Sequence, residues 1–524
     1  MAEFRVAAVF SSNMVLQREK NVKIFGEGAD GQFVRVSFRD QQAEARVQDG
    51  RWCAVLAPMR AGGGDVMTVS CKEREIVFSN VAVGEVWLAG GQSNMEFELQ
   101  NCTGGKEALA GDKNPGVRFY YTQKNAYMDE HFYEAERRSG WSEFNSESAK
   151  CWSAVGYFFA RRIAAELGVT VGIIGCNWGG TSASAWVDRE TLCRDRELRS
   201  YVEDYEAATA GKTEEEQIRE YREYEEYDAE WNRRAAVCYA ENPSISWEEV
   251  QSRCGANRWP GPMGCINPFR PAGLYECMLK RVMPYTLRGF LYYQGESDDH
   301  KPLLYDRLLS ELIMKWRRDW EDYSLPFLMV QLPMHRYEAD PDFRHWCLIR
   351  EAQMKVFQTV KNTGLAVILD CGEFNEIHPK DKLPVGERLA LQAMWLVYRT
   401  RSESEVFGPV FRSAVPRGDS VELHFDHAAG GVEIRGGGSG FEVAGEDGIF
   451  YPAAVRIAEN GNLLVAAGEV PKPRCVRYCW TNYGPVNYFG KNGLPMAPFR
   501  TGSEKAADAG AAAQGSAPRQ VMEL

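Results

Sequence analysis

The stretch VGEVWLAGGQSNME (residues 83–96) joins an apolar run to a glycine turn and a serine. The apolar run predicts a buried strand, and Gly90 and Gly91 predict a sharp turn just before Ser93. A strand that passes through such a turn into a helix start exposes a side chain at the carboxyl edge of a parallel sheet and aims free backbone N–H groups at one point. Ser93 is therefore either a nucleophile or an ordinary loop serine, and this stretch alone leaves both interpretations open.

The pattern on both sides of this stretch predicts an α/β domain within a longer chain of 524 residues. Apolar runs alternate with amphipathic helical segments over residues 83–401, as is typical of a parallel sheet covered by helices on both faces. Alternation with period two predicts a β-sandwich-like domain over residues 1–82 and a β-rich domain over 402–502. The small, polar segment 503–524 is predicted to be disordered.

A charged, tyrosine-rich segment at about residues 190–260 interrupts the α/β pattern. Thr213 and Glu216 have the spacing of a helix capping box, and apolar residues recur on one side of the helix that follows. We interpret the segment as a helical insertion packed on the main domain. A lid or substrate-facing arm is the functional alternative.

Composition argues against several kinds of partner. The net charge of −12 is spread over the whole chain and no long basic block is present, so a nucleic-acid partner is not expected. No stretch reaches the ~20 apolar residues of a membrane helix, and the first residues lack a signal-peptide pattern, so the protein is expected to be soluble and cytoplasmic. The 14 cysteines include no CxxC pair, and neither a metal nor a cofactor is predicted.

The residues after Ser93 exclude two common glycine-turn motifs. Met95 stands where the nucleophile elbow G-x-S-x-G has its second glycine, which disfavours an α/β-hydrolase. No G-K-[ST] follows, and Glu96 and Glu98 would repel a phosphate group. A nucleophilic serine would instead need a nearby base, for which the chain offers only seven histidines.

His378 is the strongest candidate base among the seven histidines. It lies in CGEFNEIHPK, shortly after the predicted strand LAVILDCGE at residues 365–373, and the proline that follows it favours an extended loop. Carboxylates surround it, and one of them would orient the imidazole as the third member of a triad does. The candidates are Asp370, Glu373 and Glu376.

Two further strand-end loops offer hydrogen-bond donors for a developing oxyanion. NWGGT (177–181) and YQGES (293–297) both follow apolar strands, so their glycine N–H groups and the Gln294 amide are expected near Ser93. Tryptophans such as Trp178 and Trp186 offer sugar-stacking faces, although aromatic residues beside strands more often belong to the core.

Several motifs, in one order along the chain, resemble the sialate O-acetylesterase family of SGNH-type hydrolases. They are GEVWLAGGQSNMEF, VGIIGCNWGGTSASAWV, LYECMLKRVMPYTLRGFLYYQGESD, LPFLMVQLP and GEFNEIHPKDKLPVGERLAL, with matching flanks near both ends. The resemblance covers nearly the whole chain except the insertion and the tail. It implies a flavodoxin-like, three-layer α/β/α domain with a parallel sheet, flanked by N-terminal and C-terminal β-rich domains.

The resemblance also implies the chemistry. Ser93 would be the nucleophile and His378 the base, and the N–H groups of Ser93 and Gly180 and the amide of Gln294 would bind the oxyanion. Such an enzyme removes an acetyl group from a sugar hydroxyl through an acyl-enzyme, without a metal. The remaining substrate contacts are expected from Asn94, Trp178 and Glu296.

The acid of the triad departs from the family pattern. Many SGNH enzymes carry aspartate three residues before the histidine, where this chain has Asn375. Others carry aspartate two residues before it, where this chain has Glu376, which becomes the favoured candidate. Glu373, Asp370 or a backbone carbonyl are the alternatives.

The substrate class is left with three alternatives. Family members with these motifs act on acetylated sialic acids or on acetylated xylan oligosaccharides, so a small acetylated sugar or oligosaccharide is the expected partner. The other two interpretations are an esterase of a non-sugar acyl ester and a non-catalytic glycan-binding protein. The sequence does not specify an oligomeric state.

Overall fold

The computed structural model describes residues 3–111, 116–242, 245–428 and 430–502, and the predicted disordered tail lies outside these ranges. The first part of the chain is all β, and the predicted alternation of Val34, Val36 and Phe38 is confirmed because all three side chains are buried on one strand. The strands are β1 (Arg5–Val6), β2 (Val15–Gln17), β3 (Val22–Glu27), β4 (Phe33–Phe38), β5 (Gln41–Arg46), β6 (Arg51–Leu56), β7 (Gly62–Cys71) and β8 (Arg74–Gly91).

Strand β8 belongs to two parts of the molecule at once. Its first half pairs with β7 and β2, whereas its second half lies between two strands of the central sheet. The predicted domain boundary at residues 82 and 83 falls inside this strand. The other central strands are β9 (Val117–Tyr121), β10 (Ser142–Glu143), β11 (Val171–Asn177), β12 (Gly289–Tyr293), β13 (Phe327–Gln331) and β14 (Thr363–Val367).

The central sheet is mixed, with the order β10-β9-β11-β8-β12-β13-β14. All neighbouring pairs from β9 to β14 are parallel, and β10 is an antiparallel edge strand. The five strands β11-β8-β12-β13-β14 have the order 2-1-3-4-5 when numbered along the chain, which is the order of flavodoxin-like sheets. Strand β14 ends at Val367, well before the residue 373 predicted from the apolar run, because a turn at Leu369–Cys371 follows.

Helices cover both faces of this sheet. On one face Trp87 of β8 contacts Phe159, and on the other Gly90 leaves room for the indole of Trp316. Ser153 caps the start of the helix that carries Phe159, since its side chain accepts a hydrogen bond from the Gly156 amide. The helices are α1 (Ser93–Glu96), α2 (Gly105–Gly111), α3 (Glu130–Arg137), α4 (Ala154–Leu167), α5 (Arg189–Arg194), α6 (Arg199–Thr209), α7 (Glu214–Glu241), α8 (Trp247–Cys254), α9 (Lys280–Val282), α10 (Tyr305–Asp319), α11 (His345–Thr359), α12 (Leu383–Leu396) and α13 (Glu403–Val406).

Helices α5 to α8 form the predicted helical insertion. The capping box of Thr213 and Glu216 is confirmed at the start of α7. Helices α7 and α8 bury a small apolar cluster of their own, which includes Trp231 and Val250. Among the described residues, no helix is both long and apolar enough to cross a bilayer.

The chain after α13 forms additional β-rich structure with a separate apolar core around Leu423, Val443 and Tyr478. The strands are β15 (Val410–Arg417), β16 (Ser420–Asp426), β17 (Val432–Ile434), β18 (Phe441–Ala444), β19 (Phe450–Pro452), β20 (Ala454–Ile457), β21 (Leu463–Ala466), β22 (Cys475–Tyr478), β23 (Tyr488–Gly490) and β24 (Phe499–Arg500). The molecule is therefore a mixed α/β protein with one large mixed sheet and additional β-rich regions.

A buried carboxylate holds β8 in place between the two parts that it joins. Glu85 is fully buried and accepts hydrogen bonds from Arg288 at 2.7 and 3.1 Å and from Tyr398 at 3.1 Å, and Arg18 pairs with it as well. These donors come from the N-terminal region, the loop before β12 and the end of α12. A buried charge is stable only when it is paired in this way.

Replacement of this carboxylate should be costly. We expect Glu85→Gln to lower the free energy of unfolding by about 3 kcal/mol, because two guanidinium groups lose their buried counter-ion. Denaturation by urea, followed by circular dichroism, measures the change. The matched control is Glu44→Gln, whose exposed pair with Arg35 contributes at most about 1 kcal/mol. Equal effects of the two substitutions would contradict the bracing role of Glu85.

Candidate active site

Ser93 and His378 meet at the carboxyl edge of the central sheet. The Oγ atom of Ser93 and the Nε2 atom of His378 are 2.8 Å apart, although 285 residues separate them in the chain. Ser93 follows β8 through Gly91, whose φ of +133° and close approach to the carbonyl oxygen of Tyr293 exclude any side chain at that position. The glycine turn therefore places the serine next to β12 and within reach of the histidine loop.

The histidine is a neutral acceptor at physiological pH. The pKa of His378 is lowered to about 4, mainly by burial and to a smaller extent by the positive charge of Lys382 and by the neighbouring His335. A neutral imidazole can accept the proton of the Ser93 hydroxyl through Nε2.

The carboxylates near His378 have different partners. One Oε atom of Glu376 accepts a hydrogen bond from the His378 backbone amide at 2.8 Å and lies 3.8 Å from Nδ1 of the ring. Asp370 is instead paired with Arg388, and Glu373 accepts a hydrogen bond from the Lys380 amide. In the described part of the chain, Nδ1 has no hydrogen-bond acceptor. Glu376 is therefore the carboxylate best placed to reach that nitrogen by a small side-chain rotation.

Two backbone N–H groups near Ser93 are free to bind a negatively charged oxygen. Over the described residues, the N–H groups of Ser93 and Gly180 have no hydrogen-bond acceptor. The loop of Gly180 is tied to that of Ser93, since the Trp178 amide donates to the carbonyl oxygen of Gly91 at 3.1 Å and the Gly179 amide donates to the Glu96 carboxylate at 2.8 Å. Sequence reasoning did not identify this role of Glu96.

Gln294 is in the expected loop, but its amide hydrogens are engaged elsewhere. Its Nε2 atom donates to Asp298 at 2.5 Å and lies 3.2 Å from the carbonyl oxygen of Thr181, while its Oε1 atom accepts from Tyr305 at 2.8 Å. In this conformation neither hydrogen is left for an oxyanion. The donor role of Gln294 therefore stays a prediction that would require the amide to leave Asp298.

Asn94 and Glu296, which were predicted to contact substrate, are buried and bind each other. The Asn94 amide donates to Glu296 at 2.6 Å and to the carbonyl oxygen of Ile377 at 2.9 Å, and its Oδ1 atom accepts from Lys382. Asn94 thus connects the residue after Ser93 to the residue before His378. Neither side chain is open to substrate in this conformation, so their substrate contact stays a prediction.

Lys382 is a buried residue of this site that the sequence patterns did not single out. Its ammonium group is fully buried at the start of α12, and burial lowers its pKa to about 8. Burial also raises the pKa of Glu296, whose Oε2 atom has no hydrogen-bond partner among the described residues. The sequence does not distinguish this lysine, which follows HPKD, from a surface residue. Its contact with Asn94 is visible only in the folded chain.

Trp178 is partly buried beside this site, with the ammonium group of Lys124 5.9 Å from the centre of its ring. Its predicted sugar contact stays a prediction. Trp186 is fully buried and donates to the Thr181 hydroxyl, so it belongs to the core. The described residues contain no group of three or more His, Cys, Asp or Glu side chains arranged to hold a metal ion.

The charge of Lys382 should be measurable at His378. We expect Lys382→Met to raise the pKa of His378 above about 4, because loss of a nearby positive charge favours the imidazolium. Since burial is the larger cause, the pKa should remain below that of a free imidazole. A pH titration of the histidine ring signals by NMR, with His378→Asn for assignment, measures the shift. Lys380→Met is the control, since Lys380 is exposed on the same loop. An unchanged pKa in Lys382→Met would contradict the electrostatic coupling.

The chain is similar to known carbohydrate esterases. A family model described as "Carbohydrate esterase, sialic acid-specific acetylesterase" matches residues 264–394. The sialate O-acetylesterase of Mus musculus is 27% identical in an alignment that covers 75% of this chain and 74% of that protein. The sialate O-acetylesterase of Rattus norvegicus is 25% identical in an alignment that covers 95% of this chain and 94% of that protein.

A solved structure agrees with these sequence matches. The crystal structure of a carbohydrate acetylesterase from Xanthomonas citri superposes with a TM-score of 0.74 and 28% sequence identity. The superposition covers 95% of this chain and all of that chain (100%), so the likeness extends over the β-rich regions as well as the central sheet.

Proposed function

We propose that this chain, whose predicted resemblance to the sialate O-acetylesterase family is confirmed by these similarities, is a serine esterase that removes O-acetyl groups from carbohydrates. The observation that carries the proposal is the 2.8 Å contact between Ser93 Oγ and His378 Nε2 beside two free backbone N–H groups. Esterases that act through an acyl-enzyme need this set of a nucleophile, a base and oxyanion donors.

The proposal includes the finer fold assignment. An SGNH-type catalytic domain carries its nucleophile, its oxyanion loops and its histidine at the carboxyl ends of strands of a flavodoxin-like sheet. The strand order 2-1-3-4-5 and the positions of Ser93 after β8, Gly180 after β11 and His378 after β14 support this assignment.

The mechanism follows from the positions of these groups. Ser93 Oγ attacks the acetyl carbonyl carbon while His378 Nε2 accepts the hydroxyl proton, and the carbonyl oxygen becomes an oxyanion bound by the N–H groups of Ser93 and Gly180. Collapse of this intermediate breaks the ester bond, and His378 returns the proton to the sugar hydroxyl that leaves. A water molecule, activated by the same histidine, then releases acetate from Ser93.

The nucleophile is tested by one substitution. We expect Ser93→Ala to lower kcat/KM for 4-nitrophenyl acetate by at least about 10³-fold, since the acyl-enzyme can no longer form. Acetate release from a panel of O-acetylated sialic acids and xylo-oligosaccharides, measured in parallel, defines the sugar. Ser37→Ala, on β4 of the N-terminal region, is the control and should retain activity. Unchanged turnover by Ser93→Ala would refute the proposed function.

Glu376 is proposed to orient the His378 ring and to stabilise its charged form during the reaction. Its carboxylate already contacts the histidine backbone, and 3.8 Å separates it from Nδ1. The longer glutamate side chain would thus replace the aspartate found at this position in relatives with the N-D-I-H-P pattern.

A charge-neutral variant tests this role. We expect Glu376→Gln to lower kcat for 4-nitrophenyl acetate by about 10–100-fold with little change in KM, because the amide keeps the backbone contact but no longer stabilises an imidazolium. The matched control is Glu373→Gln, which alters a carboxylate of the same loop that also accepts a backbone amide. Losses of equal size in both variants would show that Glu376 has no special role.

A further inference from the structure

The insertion returns to the main domain through a segment that approaches the candidate active site. This return segment, residues 255–271, begins after α8 and is held by side chains of α7. The Trp231 indole donates to the carbonyl oxygen of Gly255 at 2.8 Å, and the Tyr227 hydroxyl donates to that of Ala256 at 2.6 Å. Farther along, the Cys265 amide donates to Gln217 at 2.9 Å. Helix α7 is therefore a scaffold for the return segment.

One buried asparagine fixes the shape of the return segment. The Asn267 amide donates to the carbonyl oxygens of Pro260 at 3.2 Å and Pro262 at 3.1 Å, and its Oδ1 atom accepts from the Phe269 amide at 2.7 Å. Asn267 is fully buried, so these bonds do not compete with water. They fix the position of Trp259, which precedes Pro260, relative to Phe269.

These two aromatic rings pack against the glycine of the candidate oxyanion site. Their ring centres are 5.4 Å apart at an angle of 73°, an edge-to-face contact. A Cβ atom on Gly180 would lie 2.9 Å from Cε1 of Phe269 and 3.0 Å from Cζ2 of Trp259, and Gly180 has a φ of +70°. The insertion therefore reaches the loop of Gly180, whose N–H group is a candidate oxyanion donor.

Both rings retain exposed surface, and Trp259 also has an indole N–H group. Trp259 and Phe269 are only partly buried. Across the described residues, the indole N–H of Trp259 has no hydrogen-bond acceptor. An indole presents a flat apolar face to the C–H groups of a sugar ring, and its N–H can donate to a sugar hydroxyl.

We propose that Trp259, supported by Phe269, forms a subsite that binds the pyranose ring of the acetylated substrate. The proposal rests on the proposed function and assigns part of its sugar recognition to the insertion. An acetyl ester on a ring hydroxyl is joined to the pyranose ring through a single ester oxygen, so when its carbonyl is held at Gly180 the ring must lie beside the walls that surround this glycine. The Trp259 ring is one of these walls. The hydrogen bonds of Asn267 already hold the return segment in shape, so binding of a sugar would require little further ordering of the ring.

The test compares a substrate that has a sugar ring with one that lacks it. The variants Trp259→Ala and Trp259→Phe are assayed with 4-O-acetyl-N-acetylneuraminic acid, an acetylated xylo-oligosaccharide and 4-nitrophenyl acetate. We expect Trp259→Ala to lower the ratio of kcat/KM for the better sugar ester to that for 4-nitrophenyl acetate by about tenfold, mainly through KM. Trp259→Phe should restore part of the ratio, because it keeps an aromatic face.

The control variant is Trp247→Ala. Trp247 belongs to the same insertion but packs on Trp231, in the separate cluster of α7 and α8, at 5.3 Å between ring centres. This variant should leave the ratio unchanged, so any general loss from a weakened insertion is accounted for. If Trp259→Ala does not fold, Trp259→Phe alone should still lower the ratio, by about threefold, since it removes the indole N–H and part of the face.

Each remaining outcome overturns the subsite. An equal loss toward the sugar ester and 4-nitrophenyl acetate would mean that Trp259 acts only by shaping the Gly180 loop. A gain of activity toward 4-nitrophenyl butyrate in Trp259→Ala would mean that the ring limits the acyl group instead of binding the sugar. An unchanged ratio in both variants refutes the subsite alone, whereas a wild-type protein inactive toward all three acetyl esters refutes the proposed function as well.

Discussion

The hydrogen bond between the Asn94 amide and the carbonyl oxygen of Ile377 joins two loops that are 283 residues apart in the chain. Asn94 follows Ser93 and Ile377 precedes His378, so one side-chain contact fixes the separation of the two reacting groups. The amide is itself held in orientation, since Glu296 accepts from it and Lys382 donates to it. The geometry of the site thus depends on a buried polar network whose members never need to touch a substrate.

That network also has an electrostatic effect. A buried ammonium group near a buried imidazole makes protonation of the imidazole unfavourable, and this keeps His378 available as an acceptor. The same burial makes the network costly to disturb, because an unpaired charge away from water is strongly destabilising. Asn94, Glu296 and Lys382 therefore help to position the histidine loop, and Lys382 also adds to the effect of burial on the pKa of His378.

Much of this arrangement was predictable from local patterns. An apolar strand followed by a glycine turn made Ser93 a candidate, and a loop after an apolar strand made His378 one, whereas their roles came from the family resemblance. The roles of Glu96 and Lys382 were not predictable in the same way, since each depends on a neighbour that only the folded chain supplies. Gln294 illustrates the reverse case, in which a residue lies in the expected loop but tertiary contacts engage its amide.

Hydrophobic periodicity and composition did not predict two features of the fold, namely the path of the insertion and the full length of β8. Periodicity identified α7 and its capping box, yet it could not reveal that the segment after α8 reaches Gly180. A helical insertion packed on the main domain and a lid or substrate-facing arm were the two alternatives, and a substrate-facing role stays a prediction. The change from a period-two pattern to alternating strands and helices predicted a domain boundary near residue 82. The backbone there instead continues as one strand, β8.

The continuity of β8 has a consequence for how the molecule unfolds. The N-terminal β residues and the central sheet share one apolar core, and β8 supplies backbone hydrogen bonds to both. Opening of the N-terminal β region would remove hydrogen-bond partners from β8, the strand that leads to Ser93. The N-terminal region and the central sheet should therefore behave as one cooperative unit in hydrogen exchange. The β-rich region after α13 packs around a second core, which also includes Met334 and Leu369.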